Sequence, residues 1–434
     1  MSKRNRGAAM ILAALAAMVV RTPSDDRVAN DPAWDAIFTR ESGWNAGDIG
    51  HSIDLGDGRT LWLFGDSIFG PVREGARVGG ESKFTRGAVG WHTTPEGGEP
   101  PASIDFAPPE PWGDLPPAGW AAPQPGLWPE GTWYWLMGDA AIVPALDAPD
   151  QRPAPDTPVP DDPAPGARLI LFATAVGPSG NPDGMWNFRR VGGVIITIDN
   201  PADPPTAWRA TQRINPIVQS QPMHGEPKRA SDDWGAAIIP AHRGATVPPG
   251  AEDSVAGVPS AIDFYIFGVR SLENGDRGLL VARSSAATLG LPESWSFFDG
   301  SVWSDDPKSA APVLQGIPDE FTIQWLEREG RRDLMLIHSE PMLGRRIMAR
   351  AAPAPTGPWS EPKPIFEVPD PARDGRLLTY AAKGHIHLSR PGEVLVSYVI
   401  NSTDFGQIFR DASLYRPRFI RVPHAMLPTP PGLE

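Results

Sequence analysis

The sequence predicts an all-β protein, a five-bladed β-propeller, on three observations. Pro or Gly interrupts nearly every window long enough for a helix, with 52 Pro and 45 Gly in 434 residues, so long amphipathic helices have no room. The apolar runs are short, aromatic and β-branched, and turn residues bound them, which is strand chemistry. One unit recurs five times: a small or acidic residue opens a short strand, a turn follows, and a second, strongly apolar strand comes next. Repeats of unequal length that each offer three or four strands suggest propeller blades.

Taken in order, the chain begins with Lys3, Arg4 and Arg6, then an apolar run from Ala8 to Val20, then Arg21 and Pro23. That run is shorter than the ~20 residues a membrane-spanning helix needs. Residues 1–22 therefore read as an export signal or signal anchor, residues 23–434 as a single propeller domain, and the periplasm or extracellular space as the working compartment. The five copies run from Gly47 to Asp66, Gly138 to Thr174, Asp233 to Arg270, Asp319 to Glu340 and Ala382 to Asn401. Further strand-like sequence follows, as in Trp186 to Ile198, Gly278 to Ser285 and Arg345 to Ala352. Residues 95 to 130, rich in Pro and Gly with scattered Trp, read as an ordered loop. The stretch at about 144–166, with eight prolines and five aspartates, reads as a disordered polyproline-like insertion.

The formal net charge of −13, with no Lys/Arg cluster beyond residue 6, argues against nucleic acid and anionic membranes as partners. The absence of cysteine excludes disulfides, thiolate metal sites and cysteine nucleophiles. No Walker A motif, GxGxxG fingerprint, HExxH or EF-hand loop is present.

Chemistry concentrates in the first repeat. Asp48 and Asp66 lie nine residues either side of Asp57 in the Asp57-Gly58 turn, so a hairpin centred there sets them opposite one another. Cross-strand partners share a face with Cβ atoms ~4.5–5.5 Å apart. Two carboxylates that close cannot both ionise cheaply, so one pKa rises, as acid/base work near neutral pH requires. An aspartate that caps a turn or pairs with Arg86 is the structural alternative. In a propeller the starts of the innermost strands converge, which would gather Asp48, Asp139, Asp233, Glu320 and Lys383 or His385 into an acidic ring. A catalytic funnel and a channel cation such as calcium both follow from such a ring; no other cofactor is expected. His385 and His387 read as two side chains on one strand face. Of the 16 Trp, Trp44, Trp62, Trp91, Trp128, Trp133, Trp135 and Trp234 lie near repeat openings, where aromatic faces stack on sugar rings or fill the core. Trp44, Trp128 and Trp234 are the candidates for sugar contact, with His51, Lys383 and His385 as further substrate contacts. GDSIFG (Gly65 to Gly70) is similar to the nucleophile motif of GDSL-type esterases, with Ser67 as nucleophile, but the Asp-x-x-His that those enzymes place near the C-terminus occurs only at Asp48 to His51.

Four segments carry a wider resemblance: GDIGHSIDLGDGRTLWLFGDSIFG (Gly47 to Gly70), WNFRRVGGVIITIDNP (Trp186 to Pro201), TGPWSEP (Thr356 to Pro362) and TYAAKGHIHLS…VSYVINS…YRPRFIRV (Thr379 to Val422). On these the chain resembles the five-bladed propellers of an uncharacterised-domain family whose characterised members are endo-D-arabinanases, and more distantly the arabinanase, xylosidase and invertase propellers. The resemblance implies that Asp48 and Asp66 match the family's two catalytic acids. The expected function is hydrolysis of a furanoside-containing, arabinan-like polysaccharide. Asp48 would serve as base or nucleophile and Asp66 as acid, with Glu320, Asp233 or Asp139 tuning or replacing the latter. The alternatives are a glycan-binding propeller without catalysis and an esterase using Ser67.

Overall fold

The computed structural model describes residues 27–107, 119–144, 166–181, 187–241 and 263–432. The export signal or signal anchor expected at residues 1–22 and nearly all of the proline-rich insertion lie outside the described residues. Among the described residues no helix is long and apolar enough to cross a membrane.

Among the described residues there are seven antiparallel sheets, and the five largest follow one another along the chain. The first pairs His51–Asp54, Arg59–Phe64, Ala88–Thr93 and Asp105–Ala107; in the second, Trp133–Trp135 and Ala140–Val143 both pair with Arg168–Gly177, which continues to Arg189–Ile198 and Ala210–Asn215. The third is built on Ser231–Pro240, Phe264–Ser271 and Arg277–Ser284, and the fourth on Phe321–Arg328, Arg331–Ser339, Arg346–Ala352 and Lys363–Glu367. The fifth runs Leu377–Gly384, Glu393–Ser402, Pro417–Pro423 and then takes Ala29–Asn30 from the start of the chain as its outermost strand. A three-stranded sheet (Trp44–Gly47, Ser67–Phe69, Lys83–Thr85) grows out of the first hairpin.

The unbroken apolar runs in the second strands have a direct cause. Successive side chains of a strand point to opposite faces, and here both faces are covered. Leu61 and Leu63 pack with the second sheet, while Trp62 and Phe64 pack with Leu395 and Phe419 of the fifth. Leu169 and Leu171 join the first sheet's core, whereas Ile170 and Phe172 join the third's. The same division sends Ile266 toward the second sheet and Phe267 toward the fourth, and Leu336 toward the third and Ile337 toward the fifth. Five apolar cores result, each between two successive sheets, and the fifth lies between the last sheet and the first.

Four of the five expected repeats match observed strand pairs. The fifth is displaced: its first strand is Leu377–Gly384, and Ile386–Leu388 form a 3-10 turn instead of the expected strand through Leu388. His385 and His387 therefore do not share a strand face. A bulge between Tyr380 and Lys383, with Ala381 at φ 54°, takes up the offset.

Candidate active site

The first hairpin runs in the register its spacing predicts. His51 faces Leu63 and Asp54 faces Thr60, and beyond them Gly47 faces Ser67 and Ala46 faces Ile68. Asp48 and Asp66 are thus opposite each other, and the Asp48 N–H donates to the Asp66 carbonyl at 3.3 Å. Both sit where the hairpin leaves the first sheet for the small three-stranded one. Ile49 and Gly50 make that corner at φ 70° and 56°. A β-branched residue in the left-handed region costs on the order of 1–3 kcal/mol and persists only where surrounding structure imposes it.

Both carboxylates are half-buried. Asp48 Oδ2 accepts from the Tyr380 hydroxyl at 2.8 Å and the Tyr415 hydroxyl at 3.1 Å, and Asn401 in turn donates to Tyr380 at 3.1 Å. Oδ1 lies so close to Gly65 that a Cβ there would stand 2.4 Å away, and no hydrogen bond to Oδ1 is made among the described residues. Burial, then the charges of Asp66 and Glu320, push the Asp48 carboxyl well above the usual carboxylate range, against the pull of the two tyrosines. Asp66 has a different setting. Arg86 Nη1 donates to its Oδ2 at 3.1 Å and Trp135 Nε1 to its Oδ1 at 2.9 Å. Burial raises its pKa, while Arg86 and then Trp135 hold it down. The two acids, alike in sequence, are given unlike surroundings.

The other acids of the expected ring divide. Glu320, immediately before Phe321–Arg328, is near enough to raise Asp48, and its Oε2 is buried without a hydrogen-bond partner among the described residues. Burial raises its pKa, Lys383 lowers it and Asp319 raises it. Asp233 is half-buried beside a pocket lined by Gly138, Thr174, Gly235 and Asp319; it takes Arg190 Nη1 at 3.2 Å and Thr174 Oγ1 at 3.3 Å on Oδ2. Asp139 is spent on structure: Oδ1 takes the Ala140 N–H at 2.8 Å and His51 Nε2 at 2.9 Å, and Oδ2 takes the Ile238 N–H at 2.8 Å. It ties the first three sheets together.

Several expected substrate contacts are corrected by their burial. Trp44 is 1% exposed, stacked 4.7 Å from Phe106, and Trp234 packs against Phe297 in the core between the second and third sheets. His385 is fully buried between Ser52 Oγ at 2.6 Å and Ser397 Oγ at 2.8 Å, and burial drives its pKa well below the usual range, so it is a neutral structural link. Lys383 is buried and donates to the Phe321 carbonyl at 3.1 Å. Its charge bears on Glu320 and Asp139, which keeps it among the acids of the expected ring, while Tyr380, three residues earlier across the bulge, reaches Asp48. His51 is buried against Asp139. Trp128 is half-buried, donating to Tyr134 at 2.8 Å. Ser67 is fully buried, donates to the Gly65 carbonyl at 3.0 Å and takes Trp44 Nε1 at 3.3 Å, so it meets neither a base nor a substrate and the esterase reading falls. Among the described residues no cluster of three or more His, Asp or Glu could hold a metal ion, so nothing there supports the channel calcium.

The sequence reading missed Tyr380, Tyr415 and Trp135 as partners of the acids. Trp135 carried a signal in its place near a repeat opening; in the structure only Tyr134 of Trp133–Trp135 is buried, and strand alternation turns both indoles to the opposite face. The tyrosines carried none, being 332 and 367 residues away from Asp48 in sequence. Chemically, the site offers two opposed carboxyls that burial raises, Asp48 the further, with one Asp48 oxygen free of hydrogen bonds among the described residues and Asp66 held by an arginine and an indole.

A Bacteroides ovatus protein provisionally assigned as a hydrolase is similar in fold, with 19% identity over 92% of each chain and a TM-score of 0.60. An exo-β-1,3-galactanase from Phanerochaete chrysosporium (9% identity, 91% of this chain and 66% of that one, TM-score 0.40) and a mutant Trypanosoma rangeli sialidase displaying trans-sialidase activity (10%, 92% and 59%, 0.41) are weaker likenesses. No curated protein matches. The family described as a domain of unknown function, DUF5005, matches residues 31–424, and the chain belongs to it.

Proposed function

We propose that the chain is an exported glycoside hydrolase on a five-bladed β-propeller, cleaving a neutral, furanoside-containing polysaccharide of arabinan type, with Asp48 and Asp66 as its catalytic acids. The five blades are supported by five cores, each joining successive sheets and the last joining the fifth sheet to the first. Export to the periplasm or extracellular space rests on the basic and apolar residues of 1–22, and the arabinan class on the resemblance of the first hairpin and closing segments.

The observation that carries the chemistry is the opposed pair Asp48 and Asp66 in unlike surroundings: burial raises both, Asp48 well above the usual range and Asp66 against the hold of Arg86 and Trp135, and two carboxyls of unequal pKa are how one site supplies an acid and a base. The surroundings favour the reverse of the expected roles. Asp48, raised further and with a free Oδ1, holds the proton; Asp66, clamped by Arg86 and Trp135, is the carboxylate. Asp66 attacks the anomeric carbon while the Asp48 proton passes to the leaving glycosidic oxygen, giving a glycosyl ester on Asp66. The Asp48 carboxylate then takes a proton from the water that hydrolyses the ester, which restores both groups. Direct cross-strand opposition suits the ~5–5.5 Å carboxyl separation of retaining enzymes.

Neutrality of the substrate follows from the arginines around the acids. Arg86 is taken by Asp66, Arg190 by Asp233 at 3.2 Å and Arg277 by Asp319 at 2.6 Å. A uronic or sialic acid would have to displace one of those carboxylates. Reducing-sugar release from D-arabinan, L-arabinan, arabinogalactan, xylan and levan, with Asp48→Asn and Asp66→Asn in parallel, tests the reading. Release that vanishes in both folded variants is expected; release that persists in either refutes the roles, and binding without release by the unaltered protein makes it a glycan-binding propeller.

A further inference from the structure

Beside Asp66 an aromatic track runs outward to the surface. It starts at Trp135, whose indole N–H holds Asp66, and continues to Trp133, 6.1 Å away edge-on. The Arg86 guanidinium lies 4.4 Å over the Trp133 ring and 5.2 Å from the Phe84 ring, bridging the two while it pairs with Asp66. Phe84 meets Phe405 edge-on at 5.8 Å, and Phe405 is 56% exposed. Trp135, Trp133 and Phe84 are each half-buried.

Three separate chain segments build this track. Trp133 and Trp135 come from a strand whose middle residue, Tyr134, is buried. Phe84 comes from Lys83–Thr85 of the small sheet. Phe405 opens the helix Phe405–Arg410, which Asp404 caps by accepting from the Gly406 N–H at 3.0 Å. Arg77 anchors that helix and the chain beyond it, donating to the Ile408 carbonyl within the helix, to the Ala412 carbonyl and to the Leu414 carbonyl at 2.9 Å. A large apolar ring is thus held out in solvent on an anchored segment, at the end of a row that begins at a carboxylate. Exposed apolar surface continuous with a polar site marks a place where a ligand lies.

We propose that Trp133, Phe84 and Phe405 form a stacking platform for sugar rings of the same glycan whose bond lies at Asp48 and Asp66, so that the protein engages several consecutive residues of a neutral chain. The proposal rests on the glycosidase reading for the direction of the chain. Sugar rings present C–H faces to aromatic rings, and Arg86, already neutralised by Asp66, offers hydrogen bonds to hydroxyls without demanding an anion. A protein partner with an apolar face is the competing occupant.

The experiment uses the full chain and D-arabinan and L-arabinan oligosaccharides of two to eight residues, with binding measured by calorimetry on an Asp48→Asn background and cleavage measured on the unaltered background. Phe405→Ala and Trp133→Ala should each weaken binding of the longest oligosaccharides about two- to tenfold; Phe405→Ala should leave disaccharide binding unchanged, and Phe405→Trp should bind the longest oligosaccharides as the unaltered residue does. Losses equal at all lengths, or none, overturn the platform while leaving the hydrolase standing. Length-dependent binding without any cleavage by the unaltered protein keeps the platform and sinks the hydrolase. No binding of either series at any length overturns the platform, whatever protein the face then captures.

Discussion

Gly65 stands tightly against a carboxyl oxygen of Asp48, which makes Gly65→Ala a sharp test of the proposed roles. A Cβ at Gly65 would stand 2.4 Å from Asp48 Oδ1 and 2.7 Å from Ile49 Cδ1. Ordinary contact needs roughly 3.4 Å or more, so the carboxyl must retreat by about 1 Å. It cannot do so freely, because Oδ2 is held by two tyrosine hydroxyls and Ile49 is fixed in a left-handed corner. A misplacement of about 1 Å at a reacting group costs on the order of 10²-fold in rate, which is ~2.7 kcal/mol of barrier, while overpacking costs about 1–3 kcal/mol of stability. Kinetics of reducing-sugar release on the best substrate, with thermal unfolding followed in parallel, measure both. Gly79→Ala is the control, since a Cβ there meets nothing within 4 Å. A folded Gly65→Ala protein with undiminished kcat would refute the placement of Asp48 Oδ1 as the proton-donating oxygen.

Tyr380→Phe and Tyr415→Phe each remove a donor that lowers the Asp48 pKa, so the alkaline limb of the pH–rate profile should move to higher pH; a limb that stays put or moves down in both disproves Asp48 as the titrating acid. Because the folded-state pKa of Asp48 is raised from 3.8, the folded protein is stabilised relative to the unfolded one only while Asp48 is protonated. That stability is lost as pH rises through the folded pKa. Asp48→Asn should accordingly melt higher than the unaltered protein at pH 7 and equal it below the unfolded value, as a melting-temperature series against pH would show. Arg77→Met strips hydrogen bonds from the Asn45 side chain at 2.7 Å, the Asn45 carbonyl at 2.8 Å and the Leu414 carbonyl at 2.9 Å. Calorimetric unfolding should register a loss of about 3 kcal/mol or more, since each buried group left unpaired costs ~1–3 kcal/mol. Ser67→Ala should leave kcat within about twofold, and abolished hydrolysis in a folded Ser67→Ala protein would restore the serine as a nucleophile.

Much of the architecture was legible because it is local. A strand pair separated by a turn is set by residues a few positions apart, and the Asp57-Gly58 turn gave the register that puts Asp48 opposite Asp66. The fifth repeat was misplaced for an equally local reason. The run from Ala382 to Leu388 has the apolar alternation of a strand, and nothing in it announces the bulge at Ala381 that ends the strand at Gly384. The choice among tryptophans was not legible either. Trp44, Trp135 and Trp234 are chemically the same, and only which face of its strand each occupies, and what packs on that face, makes one a partner of Asp66 and two of them core.

Composition and pattern by themselves determined an all-β chain of repeated strand pairs, the opposed acids of the first hairpin, and the absence of cysteine chemistry, since each of these is written within short spans of sequence. Tertiary structure alone decided the rest. It brought Tyr380 and Tyr415 onto Asp48 and Arg86 and Trp135 onto Asp66, committed Asp139 to the backbone, and buried Ser67. Electrostatic environment depends on burial and on neighbours supplied by distant segments, so two aspartates of identical intrinsic acidity acquire different pKa values only once the sheets have closed around them.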